Sequence, residues 1–286
     1  MFNMTQSDLA QAVESFALLA QNMRAEDLEQ PWQWCGRDEG ARSIFLRVYE
    51  VLRSTQAQAA ALRRSPLSSA QVILGGLHQA YWELQAALLD CPSYLLDQSP
   101  TPAEWSIRET LRHLIRTENS FIELLQTSIE PDSPTTIHLT ETREFLKQVR
   151  DQFDQQSNQT LQSNLDNILA LYTEIHYRGL SSLSLLTDTQ LEILCYHWEP
   201  QPFPIRYRLL RMESHLRQHT LQVEKILTAF QISHGETQQL LALIYRAIAD
   251  LEVVSLGNEE IDLELGQQTT QYISDYTEAL ALVITQ

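Results

Sequence analysis

Only 8 glycines interrupt the 286 residues, and between the Gly, Pro and Ser punctuation apolar residues recur at three and four positions rather than at two. That spacing argues against a strand-rich fold and predicts an all-α chain. The three cysteines, Cys35, Cys91 and Cys195, are odd in number, far apart and without C-x-x-C spacing, which argues against a disulfide framework and fits reduced, mostly structural thiols. No stretch of about 18 apolar residues is present to span a bilayer. The first residues also lack the basic start and apolar run of a secretory signal. Positive charge is scarce as well, with 20 Lys and Arg against 37 Asp and Glu, a net charge of −17. Such a chain repels a phosphate backbone, and no local basic cluster offsets this, which excludes nucleic acid as a partner. G-x-S-x-G, Walker and G-x-G-x-x-G patterns are missing, removing the commonest hydrolase and nucleotide readings. The expectation is a cytoplasmic globular protein, 43% hydrophobic, able to bury one large core or two compact ones.

From Leu67 the series Leu67, Ala70, Leu74, Leu77, Tyr81, Leu84, Leu88 steps by three and four, the stripe of a bundle helix that Cys91-Pro92 ends. Thr101-Pro-Ala-Glu104 offers a capping box with Pro at the first helical position, and Ser106-Ile-Arg-Glu109 offers a second one a turn later. The helix opened there carries Ile107, Leu111, Leu114, Phe121 and Leu125 to about residue 128, before Pro131 and Pro134 stop it. A shorter helix is expected around residues 140 to 154. The next has the series Leu161, Leu165, Ile168, Tyr172, Ile175 and runs to Gly179 or slightly past it. Trp198-Glu-Pro-Gln-Pro-Phe-Pro204 reads as a rigid loop. A fourth main helix begins near Ile205, carries Leu209, Met212, Leu216, Val223, Ile226, Leu227 and Phe230, and ends at Gly235. Residues 1–62 read as a helix, a Trp-rich loop (Pro31-Trp-Gln-Trp34) and a second helix from about Glu39. Residues 236–286 read as another helical pair. The expected domains are thus a pair at 1–62, a four-helix bundle at 66–232 and a pair at 236–286, the two pairs being candidates for a second four-helix unit.

What stands out against these absences is a pair of histidines one helical turn apart, His215 and His219, in Met212-Glu-Ser-His-Leu-Arg-Gln-His219. Side chains at i and i+4 share a helix face and can chelate one ion. With 8 His in the chain, chance alone gives roughly 0.2 such pairs, so a third ligand is required. All eight lie between His78 and His234, which leaves the outer segments no histidine to contribute. By helical count His219 lies roughly 40° and His215 roughly 80° from the centre of their helix's apolar stripe, on its inner shoulder. The plainer alternative is two half-buried histidines bonded to backbone or carboxylates. His113 is the candidate third ligand, although it lies roughly 140° from the centre of its own stripe, while Glu118 lies within that stripe. Glu118 reads as a partner that orients a ligand, as a fourth ligand, or as a carboxylate paired with Arg at a helix interface. Leu216 stands where a zinc-protease helix carries its catalytic Glu, which rejects a metalloprotease. His176 reads as a packed helix residue, and His197 with Trp198 as loop residues reaching toward the metal end. Arg208 and Arg211 read as anion binders or solvated surface, and Trp32 with Trp34 as core between outer helices.

In Trp105-Ser-Ile-Arg-Glu109, the following His113, and the His-x-x-x-His of His215 and His219 on the fourth helix, the chain resembles the DinB/YfiT-like proteins over roughly residues 66 to 232. The resemblance implies a DinB-like up-down four-helix bundle, here with additional N- and C-terminal helices. It also implies that His113, His215 and His219 converge on one divalent ion at one end of the bundle, with positions open for water or substrate. Zinc or nickel suits imidazole ligands, and three protein ligands with an open position is the arrangement of a catalytic metal. The implied activities are broad: metal-dependent thiol transfer using a low-molecular-weight thiol, or the metal-binding half of a sulfur-chemistry enzyme; a metal that activates water instead would make the chain a hydrolase. The metal would lower the pKa of a bound thiol or water, with Glu118 or a hydroxide on the metal handling the proton. The resemblance leans toward a homodimer packed on helix faces, with the terminal helices as an alternative cover for those faces. The competing class is a non-catalytic helical binding or scaffold protein that keeps the bundle and docks a partner through its acidic surface. DNA binding, suggested by the family's name, is opposed by the charge of −17 and the missing basic face.

Overall fold

Helix boundaries follow from caps and from the few breakers the chain contains. The computed structural model describes residues 8–21, 23–130, 132–133, 136, 138–257 and 263–285. Among these are ten α-helices: α1 (Asp8–Ala20), α2 (Arg42–Leu62), α3 (Ser69–Ala87), α4 (Ile107–Ser128), α5 (Leu139–Leu161), α6 (Leu165–Leu183), the single turn α7 (Asp188–Leu191), α8 (Ile205–Ala229), α9 (Glu236–Ser255) and α10 (Leu263–Ile284). Two short antiparallel hairpins complete them, β1 (Pro31–Trp34) with β2 (Arg37–Gly40) and β3 (Leu194–Cys195) with β4 (Phe203–Pro204). Pro131 and Pro134, expected to stop α4, lie outside the described residues.

The chain divides into two compact units. One comprises Leu67–Ala80 and Cys91–Phe230, and therefore α4, α5, α6, α7 and α8 with the first turns of α3. Its central element is α4, which packs against α5, α6 and α8. Leu111, Leu114, Ile115 and Ile122 of α4, Ile168, Ile175 and Leu180 of α6, and Leu209, Leu216 and Val223 of α8 are all buried. Each such side chain contributes about 1.5–3 kcal/mol by leaving water. The second unit takes α1, α2, Tyr81–Asp90, α9 and α10. There α2 packs on α9 and α10, and α1 on the same two helices, with Trp82 Nε1 donating to the buried Glu252 carboxylate at 3.1 Å. The dividing point falls inside α3, whose apolar series is continuous across it.

Several local expectations change. The Trp-rich segment is a hairpin rather than a loop. Cys35 and Gly36 both adopt positive φ, 50° and 76°, which is the turn that matches strand twist in a two-residue connection, and α2 starts at Arg42 rather than near Glu39. Trp32 and Trp34 are half-buried on that hairpin, Trp32 against Tyr276 and Trp34 under the Arg47 guanidinium. Helix α5 runs to Leu161, seven residues past the expected 154, because Phe153, Ser157 and Leu161 continue a buried stripe through a Gln/Asn-rich segment that looks like loop. Leu161 consequently ends α5, and Asn164 caps α6 separately by accepting from the Asn167 amide. Gly235 does not end α8. It is the N-cap of α9, and α8 stops at Ala229 with Gln231 in the left-handed region at φ 60°.

Gly179 brings α6 close to α4, since a Cβ there would stand 2.6 Å from Ile122 Cδ1. Ile122 Cγ1 would also stand at 2.9 Å and the side chain is fully buried, so the shift it must make offsets the roughly 1 kcal/mol of helix propensity that Ala gains over Gly. Gly179→Ala is therefore expected to be near neutral. Gly179→Val should destabilise by about 2 kcal/mol through overpacking, a difference chemical denaturation will resolve.

Candidate metal centre

Helix α4 opens at the capping box within the Trp-Ser-Ile-Arg-Glu run. Ser106 Oγ accepts from the Glu109 amide at 3.2 Å, and Glu109 Oε2 accepts from the Ser106 amide at 2.8 Å. The box one turn earlier does not start a helix. Thr101–Glu104 is a turn closed by the Glu104 amide on the Thr101 carbonyl at 3.0 Å, and the Glu104 carboxylate, rather than reaching the Thr101 amide, pairs with Lys225 and accepts from Thr101 Oγ1 at 3.3 Å. Trp105 precedes the N-cap and is thereby held beside the second turn of α4. Its ring lies nearly parallel to that of His219, with centroids 5.9 Å apart, and 5.0 Å from that of His113.

His113, His215 and His219 come together, their ring nitrogens within 4.8 Å of one another. His215 Nε2 is 3.0 Å from His113 Nε2 and 3.2 Å from His219 Nε2. His219 is buried and His215 half-buried, the order their angles from the α8 stripe predict. His113 is half-buried too, off the buried face of α4. Its large angle from the α4 stripe is reconciled because the histidines meet on the shoulder where α8 and Trp105 cover α4, not in the bundle centre.

The donor set fits a metal. His219 Nδ1–H donates to Gln222 Oε1 at 2.8 Å, which leaves Nε2 as a lone pair aimed at His215. Neutral imidazoles offer at most one proton per ring, so three ring nitrogens this close present lone pairs that one bound cation can use. Nitrogens held about 2.0–2.1 Å from a zinc ion in tetrahedral arrangement are roughly 3.3 Å apart; the two separations from His215, 3.0 and 3.2 Å, are close to this, and all three ligand nitrogens lie within 4.8 Å of one another. Burial lowers the proton affinity of all three rings, and the neighbouring histidines depress it further at His113 and His215; His215 is pushed down to about 3. The rings are therefore neutral at pH 7, the form that ligates.

Glu118 is not in this group. Its oxygens accept from Tyr172 Oη and pair with His176 Nδ1, each at 2.7 Å, and His176 Nε2 lies 3.0 Å from His78 Nδ1. These side chains form a buried polar chain linking α3, α4 and α6 in the bundle core. His176 is thus a packed residue, and Glu118 anchors it rather than pairing with an arginine. Arg208 is fully buried rather than solvated, donating to Glu199 at 2.7 Å and to the Cys195 carbonyl at 3.1 Å, so it ties down the β3–β4 loop. Arg211 bonds Ser214. In that loop His197 packs 4.8 Å from the Phe121 ring and 4.4 Å from that of Trp198, which is half exposed. Burial, with Arg208 and Arg150 nearby, pushes the His197 imidazole down to about 3.

A family model of the DinB superfamily matches residues 77–223, just over half of the chain. The chain belongs to the DinB superfamily. Searches of curated proteins and of solved structures found no match. The DinB match begins in α3 and ends in α8, so it contains all three converging histidines and Glu118.

Two features of this DinB centre escaped sequence reasoning. Trp105 was visible only as part of a motif, and its place over His113 and His219 depends on how α8 docks. Gln222 had a detectable signal, since three residues after His219 it stands on the same helix face. Replacing Gln222 with Ala is expected to weaken metal binding about 10- to 100-fold, the usual effect of losing the partner that orients a ligand, measured by competition with a chromophoric chelator.

Proposed function

We propose that this DinB superfamily protein holds one divalent ion, zinc or nickel, on His113, His215 and His219, within a metal-binding domain at residues 66–232 supported by the helical segments 1–62 and 236–286. We further propose that it is a cytoplasmic metalloenzyme acting on a small thiol or water, as an S-transferase or hydrolase does. The observation that carries the reading is the gathering of three histidine ligand nitrogens within 4.8 Å of one another, with Nε2 separations of 3.0 and 3.2 Å from His215. When bound, such an ion acts as a Lewis acid that lowers the pKa of a thiol or water. The chain's own part is to keep three imidazoles neutral by burial, to fix the His219 tautomer through Gln222, and to shield two of the rings with Trp105. The buried Glu118 carboxylate serves to lock α6 against α4.

Elemental analysis of protein purified without a metal-affinity tag tests this. About one zinc or nickel per chain is expected, lost in the His215→Ala, His219→Ala double variant with the fold intact. No bound metal, even after reconstitution, overturns the reading and turns the search toward partner proteins.

A further inference from the structure

Beside the histidines, on the side of His219 that carries Gln222, lies a surface cavity of about 330 Å³, at the small end of the ~300–1,000 Å³ typical of ligand sites. Its apolar wall is Pro100, Trp105, Leu221 and Ile226. Trp105 is 40% exposed and Leu221 65% exposed, so large apolar side chains stand open to solvent there. The polar part is a charge pair, Lys225 with Glu104. Gln222 also lines the cavity. Its oxygen is taken by His219, while its amide N–H groups have no hydrogen-bond partner among the described residues.

We propose that this cavity binds a free α-amino acid with an apolar side chain, its ammonium on Glu104, its carboxylate on Lys225 and the Gln222 amide, and its side chain against Trp105 and Leu221. Charge complementarity selects the ligand. Lys225 and Glu104 are in direct contact, so a ligand entering between them must carry both charges close together, as the two groups on one Cα do. A simple carboxylate or amine takes one member of the pair and strips the other of its partner. A zwitterion gives each a new one. The pair is partly exposed, and such a surface pair opens at little cost. A carboxylate accepting from the Gln222 amide also polarises it, which strengthens the oxygen that holds His219. Amino acid and metal are thereby coupled, and by linkage each tightens the other. Only this coupling rests on the metal reading proposed above; the binding itself does not.

The test is calorimetry with L-phenylalanine on the full chain, chelator-treated and zinc-loaded, and on the His215→Ala variant. Saturable binding is expected in all three preparations, tightest in the zinc-loaded protein. 3-Phenylpropionate and phenethylamine, each lacking one charge, should bind about tenfold more weakly, as should L-phenylalanine to Lys225→Met and to Glu104→Gln, the loss of one charge-assisted contact. No saturable binding up to roughly 10 mM, or binding unchanged in both charge variants, overturns the proposal. Equal affinity with and without zinc overturns the coupling alone. Absence of zinc binding with L-phenylalanine binding intact would instead count against the metal reading and leave the amino acid site standing.

Discussion

His215→Ala is expected to lower zinc affinity by two orders of magnitude or more, and further than either His113→Ala or His219→Ala. His215 is the hub, its Nε2 lying 3.0 Å from His113 Nε2 and 3.2 Å from His219 Nε2. Removing it deletes the one ring whose Nε2 lies within 3.2 Å of both others. A structural zinc site of four ligands binds with roughly 10–16 kcal/mol, or about 3 kcal/mol per ligand, and that corresponds to at least a hundredfold. His215 is only half-buried, so the fold should survive. Chelator competition on the three single variants, with circular dichroism as the folding control, measures the order. Equal and small losses for all three would show that the rings do not share an ion.

Glu118→Ala should act on stability and leave the metal alone. Glu118 is 7% exposed and is the acceptor shared by two buried side chains, Tyr172 and His176. Deleting it removes two hydrogen bonds whose buried donors have no route to solvent, a cost of about 3 kcal/mol. Glu118→Gln should cost only about 1 kcal/mol, because the amide oxygen can face His176 while the Tyr172 hydroxyl turns to accept from the amide nitrogen. Urea denaturation gives both numbers, and zinc content of the folded variants should match wild type. Zinc lost from the still-folded Glu118→Gln protein would reinstate this carboxylate as part of the metal centre.

Residues of the site were legible in the sequence to different degrees, for reasons that differ. His215 and His219 were legible because a spacing of four on one helix is fixed by backbone geometry alone. The start of α4 was legible because a capping box is local chemistry, although two boxes competed and only the one at Ser106 and Glu109 forms, the Glu104 carboxylate going to Lys225 and Thr101 Oγ1. The β1–β2 hairpin was missed because its turn depends on positive φ at Cys35, a residue that does not advertise it. The length of α5 was missed because its polar middle gains its stability from packing on α4, not from propensity.

Helical content, the stripe of each bundle helix, the His pair and the capping box of α4 were determined by the sequence itself, since each depends on spacings shorter than two helical turns. The tertiary structure decided what distance along the chain conceals. It carried His113 across 102 residues to His215, gave Glu118 to His176 and Tyr172, and buried Arg208 under its own loop. The physical reason is that local backbone geometry dictates which side chains share one helix face, whereas contacts between faces depend on how several helices dock. Docking is settled by the summed burial of whole apolar stripes, and no single motif encodes it.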